Sequence, residues 1–311
     1  MARCLDSIWS QQLPVGDFEV ICVDDCSTDD SAEWISSRLN KYPGLRLIKN
    51  ETNIRAGGSR NAGVKNAEGK YILFIDSDDY FHPGSLLYAY QYQQNHQLDI
   101  LMLDSSRELQ GQSSDKLVHN FQNQAIMTGR EFMLSNSLPL APWKYVFKKV
   151  LMVNNNVWFE ENVNCEDVDW THKLAFYAQT MQYQPVLLTH YVLLPSSETG
   201  AEYNNINTIR NRFFCGDRIL SLKSLFTEDD EKSYLNNLAM STFYVGLKNM
   251  FGSLASPSQK YNIIKRFYIP NIVGIEQGMI NKMALYCPFL FSAFSTLVAP
   301  FARAYIMIKG R

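Results

Sequence analysis

Apolar positions along the chain follow two rhythms, and their alternation predicts the elements. Residues 3–12 place Leu5, Ile8 and Trp9 on one side of a short amphipathic helix. Phe18 to Val23 is an apolar, β-branched run of strand length, halted by Asp24 and Asp25. Thr28 to Leu39 reads as a helix with capping residues at its start. A strand at Leu45 to Lys49, a helix at Gly57 to Ala67 and a strand at Tyr71 to Ile75 follow. The pattern continues with a helix at Pro83 to Gln94 and a strand at Leu98 to Leu103. Strands alternating with helices predict an α/β domain with a parallel-type sheet.

Beyond Asp104 the rhythm loosens. Residues 105–125 are polar and read as a long loop or a hairpin. Helices are expected at Thr128 to Asn136 and Asp167 to Gln179, short ordered pieces at Trp143 to Lys149 and Val157 to Glu160, and a strand at Val186 to Leu194. From about Asn205 the pattern is helical, with Ile206, Ile209 and Phe213 at spacings of three and four.

Charge changes this picture more than composition does. The 311 residues are 46% hydrophobic and 19% charged, a globular balance, with a net charge of −2. From Lys232 onward there are nine Lys/Arg against one acid, Glu276, whereas the preceding part carries 20 basic and 30 acidic residues. An acidic body suits a cation, and a basic tail suits an anionic partner. Nothing marks the chain as a nucleic-acid binder. Six scattered cysteines fit reduced thiols, not a disulfide framework. No signal peptide is expected at the start.

Two acidic clusters sit at strand ends, where ligands bind in open α/β sheets: Asp24-Asp25 and Asp76-Ser77-Asp78-Asp79. Crowded carboxylates are neutralised by solvent or by a hard divalent cation such as Mg²⁺ or Mn²⁺, phosphate and water completing its shell. The run from Asn53 to Gly63 joins glycines, Arg55 and Arg60 to a helix start. It suits either an anion such as diphosphate or close helix–sheet packing. Glu166-Asp167 alone would read as the acidic first turn of a helix.

Three segments, VDDCSTDDS, NIRAGGSRNAGVKNAEGKYILFIDSDD and CEDVDW, occur in the order and spacing found in the family 2 glycosyltransferases. The chain resembles that family from residue 2 to about residue 194. The resemblance implies a Rossmann-like GT-A nucleotide-sugar-binding domain over residues 1–204, followed by a mostly helical region over 205–311. It implies an inverting, metal-assisted transfer from a nucleoside diphosphate sugar, most often UDP-linked, to a hydroxyl of a glycan or lipid-linked acceptor in cell-surface polysaccharide synthesis. Asp25 would contact the base, Arg60 would lie near base or diphosphate, and Asp76 would approach the ribose. Asp78, with Asp79, would hold Mn²⁺ or Mg²⁺. Asp167 would be the catalytic base, with Glu166 beside it.

The sequence departs from the family pattern in places. The strand that normally precedes the helix LxRCLDSI is not in the sequence, which leaves a non-catalytic sugar-nucleotide-binding or scaffolding protein as the alternative. Cys26 and Ser59 replace a Gly and an Ala of the family motifs. No QxxRW follows the ED segment, so a processive synthase is not expected. In the tail, Met283 to Ala302 carries no charge but is interrupted by Pro288 and Pro300. With the basic flanks and Phe289, Phe291, Phe294 and Phe301, it reads as shallow helices on an anionic membrane face. A packed core segment and a spanning helix are the alternatives. The expected location is the cytoplasm, peripherally on the inner face of the membrane.

Overall fold

The computed structural model describes residues 1–193 apart from 15, 110, 115, 120, 122, 123 and 164, then residues 205–268, and residues 288, 291–293 and 295. The chain divides into two compact units, Met1–Leu194 and Pro195–Arg311.

The first unit is a mixed α/β fold. Helix α1 (Ala2–Trp9) buries Cys4, Leu5 and Ile8, one face of its two turns. Strand β1 (Val20–Asp24) pairs in parallel with β2 (Leu45–Lys49), α2 (Ser31–Ser36) lying between them in sequence. Helix α3 (Arg55–Asn66) leads to β3 (Tyr71–Ile72), and an acidic turn leads from there to β4 (Tyr80–Phe81). After α4 (Ser85–His96) comes β5 (Ile100–Leu109), whose residues 100–106 are all buried. A tight turn at Gly111, with φ of 78°, folds β6 (Gln112–Ser114) back onto β5. Strands β7 (Tyr145–Lys148) and β8 (Met181–Leu193) complete the larger sheet, in the order β3-β7-β5-β8-β4.

Two expectations need correction. The sheet is mixed, not parallel-type: β1–β2 and β5–β8 are parallel, but β3–β7, β5–β7, β4–β8 and β5–β6 are antiparallel. Strands β4 and β6 enter through turns with no crossover helix to set them parallel, and β7, which follows a helix, runs antiparallel to both of its neighbours. The strand expected over Tyr71 to Ile75 is only two residues long, since β7 pairs with Tyr71 and Ile72 alone. Strands β1 and β2 form a sheet of their own, so Leu73 to Ile75 have no ladder partner among the described residues. Leu73 and Ile75 still pack against the core that holds Leu5, Leu101 and Leu103, while Phe74 meets Phe147, Phe159 and Trp170.

Between β6 and β8 lie α5 (Gly129–Ser135), α6 (Lys149–Asn154) and α7 (Asp167–Tyr177). A capping box starts α5: Thr128 Oγ1 accepts from Glu131 N at 3.2 Å, and Glu131 Oε2 accepts from Thr128 N at 2.8 Å. Helix α7 is anchored by Trp170, which is fully buried. Its ring stacks on Phe159 at 4.3 Å and meets Phe74 and Phe147 edge-on. This nest fixes the first turn of α7, where Asp167 sits.

The second unit packs α8 (Ile206–Ser221) on α9 (Asp229–Gly252) through reciprocal notches. A Cβ on Gly216 would lie 2.3 Å from the Phe243 ring, and one on Gly246 would lie 2.6 Å from the Phe213 ring. At the end of α9 the buried Lys260 of α10 (Pro257–Ile263) donates to Met250 O at 2.7 Å and Ser253 O at 3.0 Å. The ammonium satisfies carbonyls at the negative end of the helix. No helix among the described residues is long and apolar enough to cross a membrane. Apart from residues 288, 291–293 and 295, the tail from 277 to 311 lies outside the described residues.

Candidate active site

The end of β1 carries Asp25, which is tied to the loop before α3. Its Oδ1 accepts from Ile54 N and from Asn50 Nδ2, both at 2.9 Å. Asn50 Nδ2 also donates to Ser59 Oγ of α3 at 3.1 Å. The next residue, Cys26, is exposed and adopts φ of 63°, the left-handed region that a Gly would occupy without strain.

Arg60 occupies the centre of the site. Its Nη2 donates to Asp76 Oδ1 at 2.9 Å and its Nη1 to Glu166 Oε1 at 2.5 Å. The guanidinium is only 11% exposed. Burial works against its charge, but Asp76 and Glu166 outweigh that and raise its pKa. One side chain of α3 thus joins the acidic turn to the ED segment. Close packing of glycine helps: a Cβ on Gly57 would lie 2.5 Å from Glu160 O and 3.1 Å from Glu166 Cγ. At Gly57 the close packing is against the segment before α7, not against a strand, and Arg60 is not on a solvated face.

The turn after β3 presents Asp76, Asp78 and Asp79, closed by Asp79 N donating to Asp76 O at 3.1 Å. Burial, with Asp76 adding to it, raises the pKa of Asp78. Asp79 is turned inward and 1% exposed. Its Oδ1 accepts from Val192 N of β8 at 2.8 Å, while Oδ2 is buried without a partner. Burial raises its pKa to about 7. Among the described residues no group of three or more His, Cys, Asp or Glu forms a closed metal cage. A hard cation that takes most of its shell from phosphate and water still fits, because it needs only one or two carboxylates.

Glu166 and Asp167 open α7, but Glu166 makes no side-chain cap bond and turns instead to Arg60. Burial raises the pKa of Asp167 to about 8, with Glu166 and Cys165 adding to the shift and Arg60 opposing it. The structure therefore brings Arg60, Asp76 and Glu166 into direct contact, with Asp167 adjoining Glu166. Asp25 is linked to the same helix through Asn50 and Ser59.

Other residues of the first unit could not be read from the sequence. Asn61, 2% exposed, is bonded to the backbone of Phe159. Asp104, fully buried, accepts from Lys144 Nζ, from His119 N at 2.7 Å and from Tyr183 OH at 3.3 Å. Past the acidic turn, Tyr80, His190 and His82 stack at 4.3 Å and 3.5 Å, and the Arg3 guanidinium covers Tyr80. Tyr80, His82 and His190 are isolated in the sequence and are brought together by pairing of β4, β5 and β8.

Residues 1–150 match the family profile "Glycosyl transferase family 2". A poly(ribitol-phosphate) beta-glucosyltransferase of Bacillus spizizenii is 32% identical over 169 residues, covering 54% of this chain and 26% of that protein. The poly(ribitol-phosphate) beta-N-acetylglucosaminyltransferase TarS of Staphylococcus aureus is 32% identical over 178 residues, covering 56% of this chain and 30% of that protein. The structure of S. aureus TarS 1-349 in complex with UDP-GlcNAc superposes with a TM-score of 0.66 at 20% identity, over 97% of this chain and 87% of that one. Residues 1–150 thus match a family 2 glycosyltransferase profile, and the fold is the GT-A type shared with the TarS structure. It spans less than a third of the length of these two curated relatives.

Ionisation of Asp167 should be visible in stability. In the unfolded chain its carboxyl titrates near the ordinary value of about 3.9. In the folded chain it keeps its proton until about pH 8. Its stabilising contribution is therefore complete at low pH and lost as pH rises toward 8. Asp167→Asn has no such loss. The melting temperature of Asp167→Asn relative to wild type should rise by several degrees between pH 5 and pH 8; an unchanged difference would contradict the raised pKa.

Proposed function

We propose that this chain is an inverting glycosyltransferase that moves a hexosyl or N-acetylhexosaminyl group from a UDP-linked sugar to a hydroxyl of a glycan or lipid-linked acceptor in cell-surface polysaccharide synthesis. The observation that carries the reading is the Arg60 bridge, which sets the acidic turn beside the ED segment. The family 2 domain and the likeness to poly(ribitol-phosphate) transferases support the same reading.

In this scheme Asp25 meets the base, Asp76 faces the ribose and Arg60 holds the donor side together. Asp78, backed by Asp79, would hold Mn²⁺ or Mg²⁺, which supplies positive charge against the departing diphosphate. Asp167 accepts the proton of the acceptor hydroxyl as that oxygen attacks the anomeric carbon. Its raised pKa makes it a stronger base than an ordinary carboxylate, at the cost of a smaller ionised fraction at neutral pH. Glu166, paired with Arg60, keeps that base oriented. The separation of β1–β2 from the larger sheet favours a second reading, a non-catalytic sugar-nucleotide-binding protein. It differs in predicting UDP binding without turnover.

Transfer by Asp167→Asn should fall about 10²–10⁴-fold, the usual worth of a general base, with UDP affinity nearly unchanged. Asp78→Asn should instead abolish the gain in UDP affinity given by Mn²⁺. Asp79→Asn, which keeps an oxygen for Val192 N–H, should retain more of that gain. Near-normal transfer by Asp167→Asn, or equal UDP affinity with and without Mn²⁺ in the wild type, would refute these roles.

We also propose that residues 277–311 attach the chain peripherally to an anionic membrane surface at the cytoplasmic face, on the strength of the basic, uncharged-core sequence pattern. Flotation with vesicles of anionic lipid should show binding that falls as salt rises. A chain that stays with the unbound fraction at low salt would reject this.

A further inference from the structure

We propose that Asn61 is a positioning residue for the catalytic base, holding the segment that leads into α7 by pairing with the backbone of Phe159 as a strand would. The inference rests on the assignment of Asp167 as base.

The geometry is specific. Asn61 lies inside α3, where an Asn has no propensity advantage. Its Nδ2 donates to Phe159 O at 3.0 Å, and its Oδ1 accepts from Phe159 N at 3.0 Å. Nδ2 also reaches Glu161 Oε1 at 3.3 Å. A short planar amide offers one donor and one acceptor side by side, which neither Asp, Ser nor Leu can do. Without it, the N–H and C=O of a residue that is 3% exposed lose these partners.

The held residue connects directly to α7. The ring of Phe159 stacks on Trp170, three residues after Asp167. The same segment passes Gly57, against which Glu160 O packs, and ends at Glu166, which Arg60 binds. Consecutive residues of α3 therefore fasten both ends of the segment, Asn61 at Phe159 and Arg60 at Glu166. The side chain of Asn61 bonds to Phe159 and Glu161 and to none of Asp25, Asp76 and Asp78, so its main effect on the reaction passes through the placement of Asp167. The charged and titratable groups acting on Asp167 are Glu166 and Cys165 from its own segment and Arg60 from α3.

The test uses the full chain with Asn61→Ala, Asp167→Asn and the double variant, and Asn66→Ala as control. Asn66 is an exposed Asn of the same helix whose side chain bonds one turn back, to Ala62 O at 2.9 Å. Two readouts are taken: melting temperature at pH 5 and pH 8, and hydrolysis of UDP-GlcNAc with Mn²⁺ as a function of concentration and pH. For Asn61→Ala, kcat should fall about 10–100-fold while KM changes less than about 3-fold, within the range usual for misplaced catalytic groups. The pH limb should move toward acid, as water reaches Asp167. The pH-dependent gain in melting temperature from Asp167→Asn should shrink by at least half in the Asn61→Ala background, whether or not UDP-GlcNAc is turned over. Asn66→Ala should change none of these.

A lower melting temperature for Asn61→Ala with unchanged kcat, pH limb and Asp167→Asn gain would overturn the proposal and leave Asn61 a packing residue. If Asn61→Ala does not fold, Asn61→Asp, nearly equal in size but with an acceptor in place of the donor and an added negative charge, takes its place. Failure of that variant to fold would also overturn the proposal. The two failures are distinguishable: hydrolysis unaffected by Asp167→Asn refutes the base, whereas loss in Asp167→Asn with normal Asn61→Ala refutes only the positioning.

Discussion

The site depends on one cation placed between two carboxylates. Asp76 and Glu166 lie 90 residues apart in sequence, and the Arg60 fork binds both. Arg60 and Glu166 are largely removed from water while Asp76 stays 39% exposed, and the attraction repays that burial only when the geometry is good and the remaining hydrogen bonds are made. A planar guanidinium presents parallel N–H groups to two partners, which a lysine cannot do. Removing Arg60 would leave two carboxylates on the same turn-and-helix surface without their cation. That penalty, more than any single apolar contact, ties the acidic turn to the ED segment.

The rest of the first unit makes this placement possible. Gly57 lets α3 approach the segment before α7, and Asn61 and Arg60 grip that segment at two points. Trp170 locks α7 among Phe74, Phe147 and Phe159, and Phe74 lies in the unpaired stretch after β3. The aromatic nest thus braces, through packing, a stretch that lacks a strand neighbour. On the other side, Asp79 ties the acidic turn to Val192 of β8. The turn is held from below by β8 and from the side by Arg60, leaving Asp78 as the carboxylate of the turn with neither of these restraints.

How much of this was legible follows from what each signal depends on. The β1, β2 and α3 elements were readable because local apolar period and turn residues specify them. The acidic clusters were readable because strand ends adjoin them directly. Strand β3 came out too long, since ladder length depends on a neighbour that a single segment does not reveal. The mixed sheet was missed because β4 and β7 are short strands whose direction is set by partners far along the chain. Of the site, the residue types of Asp25, Arg60, Asp78 and Asp167 stood out in their motifs. The contacts did not: an Arg expected near phosphate is bonded to carboxylates, and Asp79 faces inward. Asn61 stands in the NIRAGGSRNAG segment, but its motif position carries no sign of a partner 98 residues away.

The most direct measurement is a double-mutant cycle on the Arg60–Glu166 contact. Urea unfolding of the full chain would be followed for wild type, Arg60→Met, Glu166→Gln and the double variant. Residues sharing one buried ion pair couple by about 0.5–3 kcal/mol, whereas independent sites add within about 0.3–0.5 kcal/mol. The bridge predicts that the double variant loses at least about 1 kcal/mol less than the two single losses together. Strictly additive losses would show that Arg60 does not join the two acidic segments.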